Sequence, residues 1–171
     1  MSIDANPIID TGTDEPLATS FFEAEIPRYG FSVKGLHILQ NPDLPSQFSS
    51  VEKIYTLPHS PPWFSGLVNQ HNTLIPVYDL ATLIDADEKE KQSQQKKYLL
   101  TIQMDANVAG LLIDDIPQQI FLGQEKPMEK FDRTLPEMIE TSIKAVYRHQ
   151  NENWIEFSFQ KLFLALAEHD K

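Results

Sequence analysis

No cysteine occurs in the 171 residues. Disulfides, thiolate metal sites and thiol nucleophiles are therefore excluded, and the chain suits a reducing compartment. Basic residues are few: 14 Lys and Arg stand against 25 Asp and Glu, a formal net charge of −11. Such a surface repels the phosphates of nucleic acid and of anionic lipid alike, so neither is an expected partner. No apolar run approaches the ~20 residues that span a bilayer, and the first residues lack the basic and apolar regions of a secretory signal. A cytoplasmic protein with no membrane insertion is expected. Glycine is scarce too. The six present are too scattered to cradle a phosphate, and G-x-G-x-x-G, the P-loop and G-x-S-x-G are all missing.

What remains is 41% hydrophobic residues, enough for a real core, and 12 prolines set between short apolar runs. Residues 1–27 carry six acids, no Lys or Arg and three prolines, which reads as an acidic, partly disordered tail whose Phe21 and Phe22 are able to dock on the domain. From Arg28 onward, runs of strand length follow one another. Phe31 to Val33 and Leu36 to Leu39 predict a hairpin turning at Lys34-Gly35. A stretch from Phe48 to Tyr55 follows the NPDLPS bend, and the next hairpin is WFSGLVNQHNTLIPVYDL, residues 63–80. Asp79 is placed to cap a short helical stretch, Leu80 to Ile84. Residues 85–97, DADEKEKQSQQKK, predict a solvated loop that nothing packs against.

Tyr98 to Met104 and Val108 to Ile113 predict another hairpin, Gln119 to Leu122 a further strand, and Glu137 to Glu140 a helical turn. Ile143 to Arg148 and Trp154 to Phe157 predict a last hairpin. At the end, Phe159, Leu162, Phe163 and Leu166 fall at i, i+3, i+4 and i+7, one amphipathic helix packed on the core with Ser158 as its cap. Many short strands and few helices point to an all-β barrel or a pair of barrels.

Candidate chemistry is sparse. The five histidines show no i, i+4 pair with an intervening acid, so no metal is expected. Asp114-Asp115 are adjacent, and neighbours on a strand face opposite sides, so they read as a strand end rather than an acid–base pair. Trp63 and Phe64 have no basic groove beside them, which argues against a base-stacking platform. No nucleophile with a base is nominated. The expectation is no catalytic residue and no cofactor.

The segment IYTLPHSPPWFSGLVNQHNTLIPVYDL, residues 54–80, resembles the CheW-like domain, an adaptor module of bacterial chemosensory arrays. Leu57-Pro58, Pro61, Trp63, Gly66-Leu67-Val68-Asn69, Pro76-Val77 and Asp79-Leu80 fall in step with that family's pattern. Weaker echoes extend over residues 28–167, among them Gly110 to Ile116. The resemblance implies two packed, small, five-stranded SH3-like barrels with a C-terminal helix over residues 28–171, and no catalysis. It also implies a scaffold that bridges chemoreceptor tips to the regulatory domain of a histidine kinase (CheA-like), with chemotaxis or pilus motility as the output. Gly66 then allows a close backbone approach or a bend, and Pro76 belongs at an edge or a barrel corner. Gln47 and Phe48 fall on a family strand that faces a partner, with the barrel core as the alternative place for Phe48. Asn69, Gln70, His71 and Asn72 form the hairpin tip.

One departure is informative. The family's Leu-Arg-Gly is Gln70-His71-Asn72 here, so the arginine tied to receptor and kinase engagement is His71. A guanidinium fork becomes an imidazole that is mostly neutral at pH 7. The partner has changed to match, or binding is weaker, or His71 is charged only below about pH 6.5; a solvated tip with no energetic role is the plain alternative. The departure also admits a diverged module that binds a different regulator or blocks array assembly.

Overall fold

A computed structural model of the chain describes residues 27–169 except 52, 86–95, 124 and 130. The expected acidic tail thus lies outside the described residues apart from Pro27. Among the described residues no helix is long and apolar enough to cross a membrane. The chain order is β1 (Arg28–Val33), β2 (Leu36–Leu39), β3 (Ser46–Ser50), β4 (Phe64–Gln70), β5 (Thr73–Tyr78), α1 (Leu80–Ile84), β6 (Tyr98–Met104), β7 (Asn107–Ile113), β8 (Gln118–Ile120), α2 (Glu137–Glu140), β9 (Ile143–His149), β10 (Glu152–Phe157) and α3 (Phe159–Glu168).

Tight turns set the hairpins. Lys34 and Gly35 (φ 51° and 69°), His71 and Asn72 (50° and 65°), and Gln150 and Asn151 (49° and 66°) each place two successive residues in the left-handed region. That geometry matches the right-handed twist of the flanking strands and closes a hairpin in two residues. The β4–β5 and β9–β10 hairpins therefore turn on two residues each, since Gln70 pairs with Thr73 and His149 with Glu152.

The strands form two five-stranded sheets, with orders β8-β1-β2-β10-β9 (sheet A) and β3-β6-β7-β5-β4 (sheet B). Neighbours are antiparallel except β2–β10 and β5–β7, which run parallel. The all-β class with a C-terminal helix holds, but the pairing in each sheet is linear, and among the described residues no ladder closes either one into a barrel. Both sheets bury their inner faces in one cluster: Phe31, Ile38, Val146, Ile155 and Phe157 from sheet A meet Leu100, Ile102, Leu111 and Ile113 from sheet B. The predicted stripe of α3, Phe159, Leu162, Phe163 and Leu166, is buried in the same cluster. Burying so many large apolar side chains, at about 1.5–3 kcal/mol each, is what holds the two sheets as one body.

Four local readings need correction. Ser158 occupies the N-cap of α3, but its side chain makes no capping bond. The strand expected from Phe48 to Tyr55 is instead the edge strand β3, ending at Ser50, followed by a single bridge between Tyr55 and Leu67. Of the loop at residues 85–97, residues 86–95 lie outside the described ones, yet Lys97 is not solvated: its Nζ is 2.7 Å from the Asp79 carboxylate. Asp114 and Asp115 lie in a bend just past β7 rather than on a strand, and both bond to the β1 hairpin, Asp114 accepting from the Lys34 amide at 2.6 Å and Asp115 from the Ser32 hydroxyl. Their carboxylates serve the junction of the sheets.

Candidate docking site on sheet B

The β4–β5 hairpin is shaped by two residues. Gly66 has φ 133°, in a region that L side chains rarely adopt, and a Cβ built on it would land on the Tyr55 carbonyl oxygen. It also marks the register shift between Phe64 and Gly66 on β4. Both expectations for this glycine, close approach and bend, are met at one position. The approach is what lets Tyr55 and Leu67 exchange backbone hydrogen bonds at 2.8 and 2.9 Å.

The edge placement expected for Pro76 does not hold. β5 is an interior strand, flanked by β4 and β7, not an edge. Leu67, the partner of Pro76, spends both backbone groups on Tyr55, on the side away from β5. The Leu67–Pro76 pair is thus a non-hydrogen-bonded one, and the proline nitrogen faces β7, where pairing begins only at Val77 with Gly110. The missing donor falls where no ladder bond is required.

Asp79 ends the motif. It is 5% exposed, its Oδ1 accepts from the Ala81 amide at 3.0 Å as the N-cap of α1, and its backbone N–H donates to the Trp63 carbonyl at 2.7 Å. Lys97 holds the other carboxylate oxygen. Trp63 is half-buried against the main core, and Phe64 meets Tyr78 edge-on at 5.6 Å. These rings are packing elements. Pro61 supplies the carbonyl that the Phe64 amide donates to at 3.0 Å, and Pro58 lies exposed in the preceding turn of the same connection.

The tip residues and the neighbouring edge converge in part. Gln47, Gln70 and His71 line one cleft of about 310 Å³, with Thr101, Gln103 and Ile75 on its floor. Gln70 Nε2 is 3.4 Å from Ser49 Oγ, so the tip of β4 reaches the edge strand β3. Thr101 Oγ1 donates to the Gln47 carbonyl at 3.1 Å, which fixes β3 on β6. Asn69 and Asn72 are exposed and take no part in lining this cleft. His71 is exposed on a left-handed turn, aimed by backbone geometry rather than by packing.

Phe48 goes elsewhere. Strand alternation sends it to the opposite face from Gln47, where it is 38% exposed and tilted against Tyr98 at 5.1 Å. The core placement is therefore wrong. Phe48 lines a groove of about 490 Å³ at the junction of the two sheets, together with Tyr29 and Ile116. Sequence reasoning missed those two. Tyr29 shares the face of buried Phe31 but sits at the start of its strand, hidden in the sequence by the Pro27-Arg28 junction, and Ile116-Pro117 looked like the tail of a strand.

Among the described residues no cluster of His, Asp and Glu is placed to hold a metal ion. A second buried carboxylate lies in sheet A, where Glu156, 7% exposed, accepts from Arg28 at 2.9 Å and from Lys144 at 3.1 Å. Burial alone pushes the Glu156 carboxyl up, but the two cations outweigh it and leave it below the usual carboxylate range. Arg28 and Glu156 are a structural pair far in sequence, not a reacting set.

The sequence model of the CheW-like domain matches residues 47–164. The chain belongs to the CheW-like domain family. The match opens at β3 and closes in α3, so the β1–β2 hairpin precedes it, although β2 pairs with β10 inside the same sheet. The fold is similar to that of the crystal structure of scaffolding protein TtCheW from Thermoanaerobacter tengcongensis, with a TM-score of 0.66 and 17% identity over 80% of this chain and 86% of that one. No curated protein matches the chain.

Proposed function

We propose that the chain is a non-catalytic coupling adaptor of bacterial chemosensory signalling, residues 28–171 forming the unit that bridges chemoreceptor tips to the regulatory domain of a CheA-like histidine kinase in the cytoplasm. Membership of the CheW-like family supports the general role. The observation that carries the finer reading is the division of β3 into two faces: Gln47 with Gln70 and His71 on one, Phe48 with Tyr29 and Ile116 on the other. We assign the polar cleft to the kinase domain and the apolar groove to the receptor, since a helical hairpin lays its apolar face into a groove. Each sheet is read as an incompletely closed barrel, the Gln70–Ser49 contact bringing the outer strands of sheet B together. Flagellar and pilus outputs are both compatible with this surface.

Titration of the purified chain with a kinase regulatory domain and with a receptor hairpin tests the proposal; absence of binding to both at tens of micromolar would overturn it. His71→Arg restores the family's charged fork at the cleft. A charged hydrogen bond in place of a neutral one is worth about 1.4 kcal/mol, so binding should tighten about tenfold. The replacement of that arginine favours one second reading, a diverged module that engages a different regulator or blocks array assembly. Under it His71→Arg leaves kinase and receptor binding unchanged or weaker.

A further inference from the structure

The groove that holds Phe48 opens beside the first described residue. Pro27, Tyr29, Phe48, Leu100, Ile116 and Pro117 line it. Tyr29 is 49% exposed and Ile116 54%, an apolar surface that an isolated protein gains by covering. Immediately before Pro27 the chain reads SFFEAEI, and Phe21-Phe22 are the only aromatic residues in the first 27. Phe22 and Pro27 are five steps apart along the chain, a span of at most about 17 Å when extended. The aromatic pair is thus within reach of the groove that Pro27 itself lines. Aromatic side chains bring large contact area at low rotamer cost. Behind Phe48 stands a cation: Lys96 sits over the Tyr98 ring, 5.5 Å from its centroid, and Tyr98 packs on Phe48. Glu23 and Glu25, just after the aromatic pair, carry the opposite charge.

We propose that the chain's own Phe21-Phe22 segment docks in the groove between the sheets and competes there with a receptor hairpin. The docking stands on the groove and the tether; the competition rests on the function proposed above. The absence of native cysteine gives a direct test. Ala24→Cys with Ser46→Cys, a small exposed residue on the groove's wall, is oxidised in a glutathione buffer in the full chain, with and without Phe21→Ser/Phe22→Ser. Docking predicts an intramolecular disulfide that forms at least about fivefold more slowly once both phenylalanines are gone. An equal rate means that the tether alone brings the cysteines together and overturns the proposal, as does disulfide between chains, which would give the groove to a second copy.

The second arm measures a receptor hairpin peptide on chains without cysteines. If the segment fills the groove in about nine molecules of ten, Phe21→Ser/Phe22→Ser tightens peptide binding about tenfold. Unchanged affinity overturns the competition. Peptide binding by neither chain counts against the adaptor reading, while the disulfide rates still decide the docking.

Discussion

Sheet B draws its five strands from one stretch of chain, residues 46–113, whereas sheet A joins residues 28–39 to residues 118–157. The two are equal in strand number and share one core, yet they are specified differently. Sheet B keeps all its pairings inside that one stretch, β3 with β6 and β5 with β7 as well as the β4–β5 and β6–β7 hairpins, with a proline and a glycine at fixed points. Sheet A depends on pairings across the length of the domain, the Arg28–Glu156 ion pair among them at a separation of 128 residues. Local pairing closes small loops early, and distant pairing must wait for the rest of the chain. The family signature lies in sheet B, and each sheet carries one buried carboxylate, Asp79 at the exit of sheet B and Glu156 in sheet A. One sheet presents the docking tip, and the other fastens the ends of the chain behind it.

The sharpest way to break the comparison is at Gly66. Gly66→Ala places a methyl group on the Tyr55 carbonyl and holds a non-glycine residue at φ 133°. Steric displacement and backbone strain together should cost about 4 kcal/mol. Because the core cluster spans both sheets, the loss should appear in one cooperative thermal transition rather than in sheet B alone. Calorimetry of the variant checks this. Two separated transitions would show that the sheets are independent units.

The same contrast explains what could be read from the sequence. The hairpins were legible because turn residues and alternation act within a few positions: Lys34-Gly35 is a turn in fact as in expectation, and His71-Asn72 falls inside the tip expected there. The amphipathic spacing of α3 was legible for the same reason. The parallel pairing of β2 with β10 was not, since nothing in Leu36 to Leu39 announces a partner more than a hundred residues away. Pro76 misled because a proline reports only that its own donor is unused, and an interior strand can leave one unused where a parallel ladder begins. Phe48 misled because an aromatic on a strand looks buried until its place in an open groove is known. The cleft was half visible: Gln47, Gln70 and His71 meet, while Asn69 and Asn72 turn outward. Lys97 was lost among the charges around it, and only its distance to Asp79 distinguishes it.

Arg28 sharpens the comparison from the other side. Arg28→Ala leaves Glu156 buried with only the exposed Lys144 as its cation and should cost about 3 kcal/mol, the usual penalty for stripping one partner from a buried pair. The acid limb of the stability curve carries a second signature. Glu156 is held below the ordinary carboxylate pKa of about 4.3, so its contribution is complete above that value and is lost as pH falls through the lower, folded-state value. Denaturant unfolding of wild-type and Glu156→Gln chains from pH 6 to pH 3 should therefore converge toward the acid end. A constant difference across that range would show that the carboxylate is not held by its cations.

Asp79 stands at the exit of sheet B and gives the smallest of the three effects. Its carboxylate does two jobs in one buried place, capping α1 and holding Lys97 at the base of β6. Asp79→Asn keeps a capping oxygen but loses the ion pair, and Asp79→Ala loses both. The cap is worth about 1 kcal/mol, and a half-buried ammonium left without its partner adds about another. The expected order in chemical denaturation is wild type, then Asp79→Asn about 1 kcal/mol below it, then Asp79→Ala about 2 kcal/mol below. Lys97→Met separates the two jobs, since it removes the charge while leaving the cap. If Lys97→Met proves as damaging as Asp79→Ala, the aspartate acts chiefly through the ion pair, and the short helix owes little to its cap.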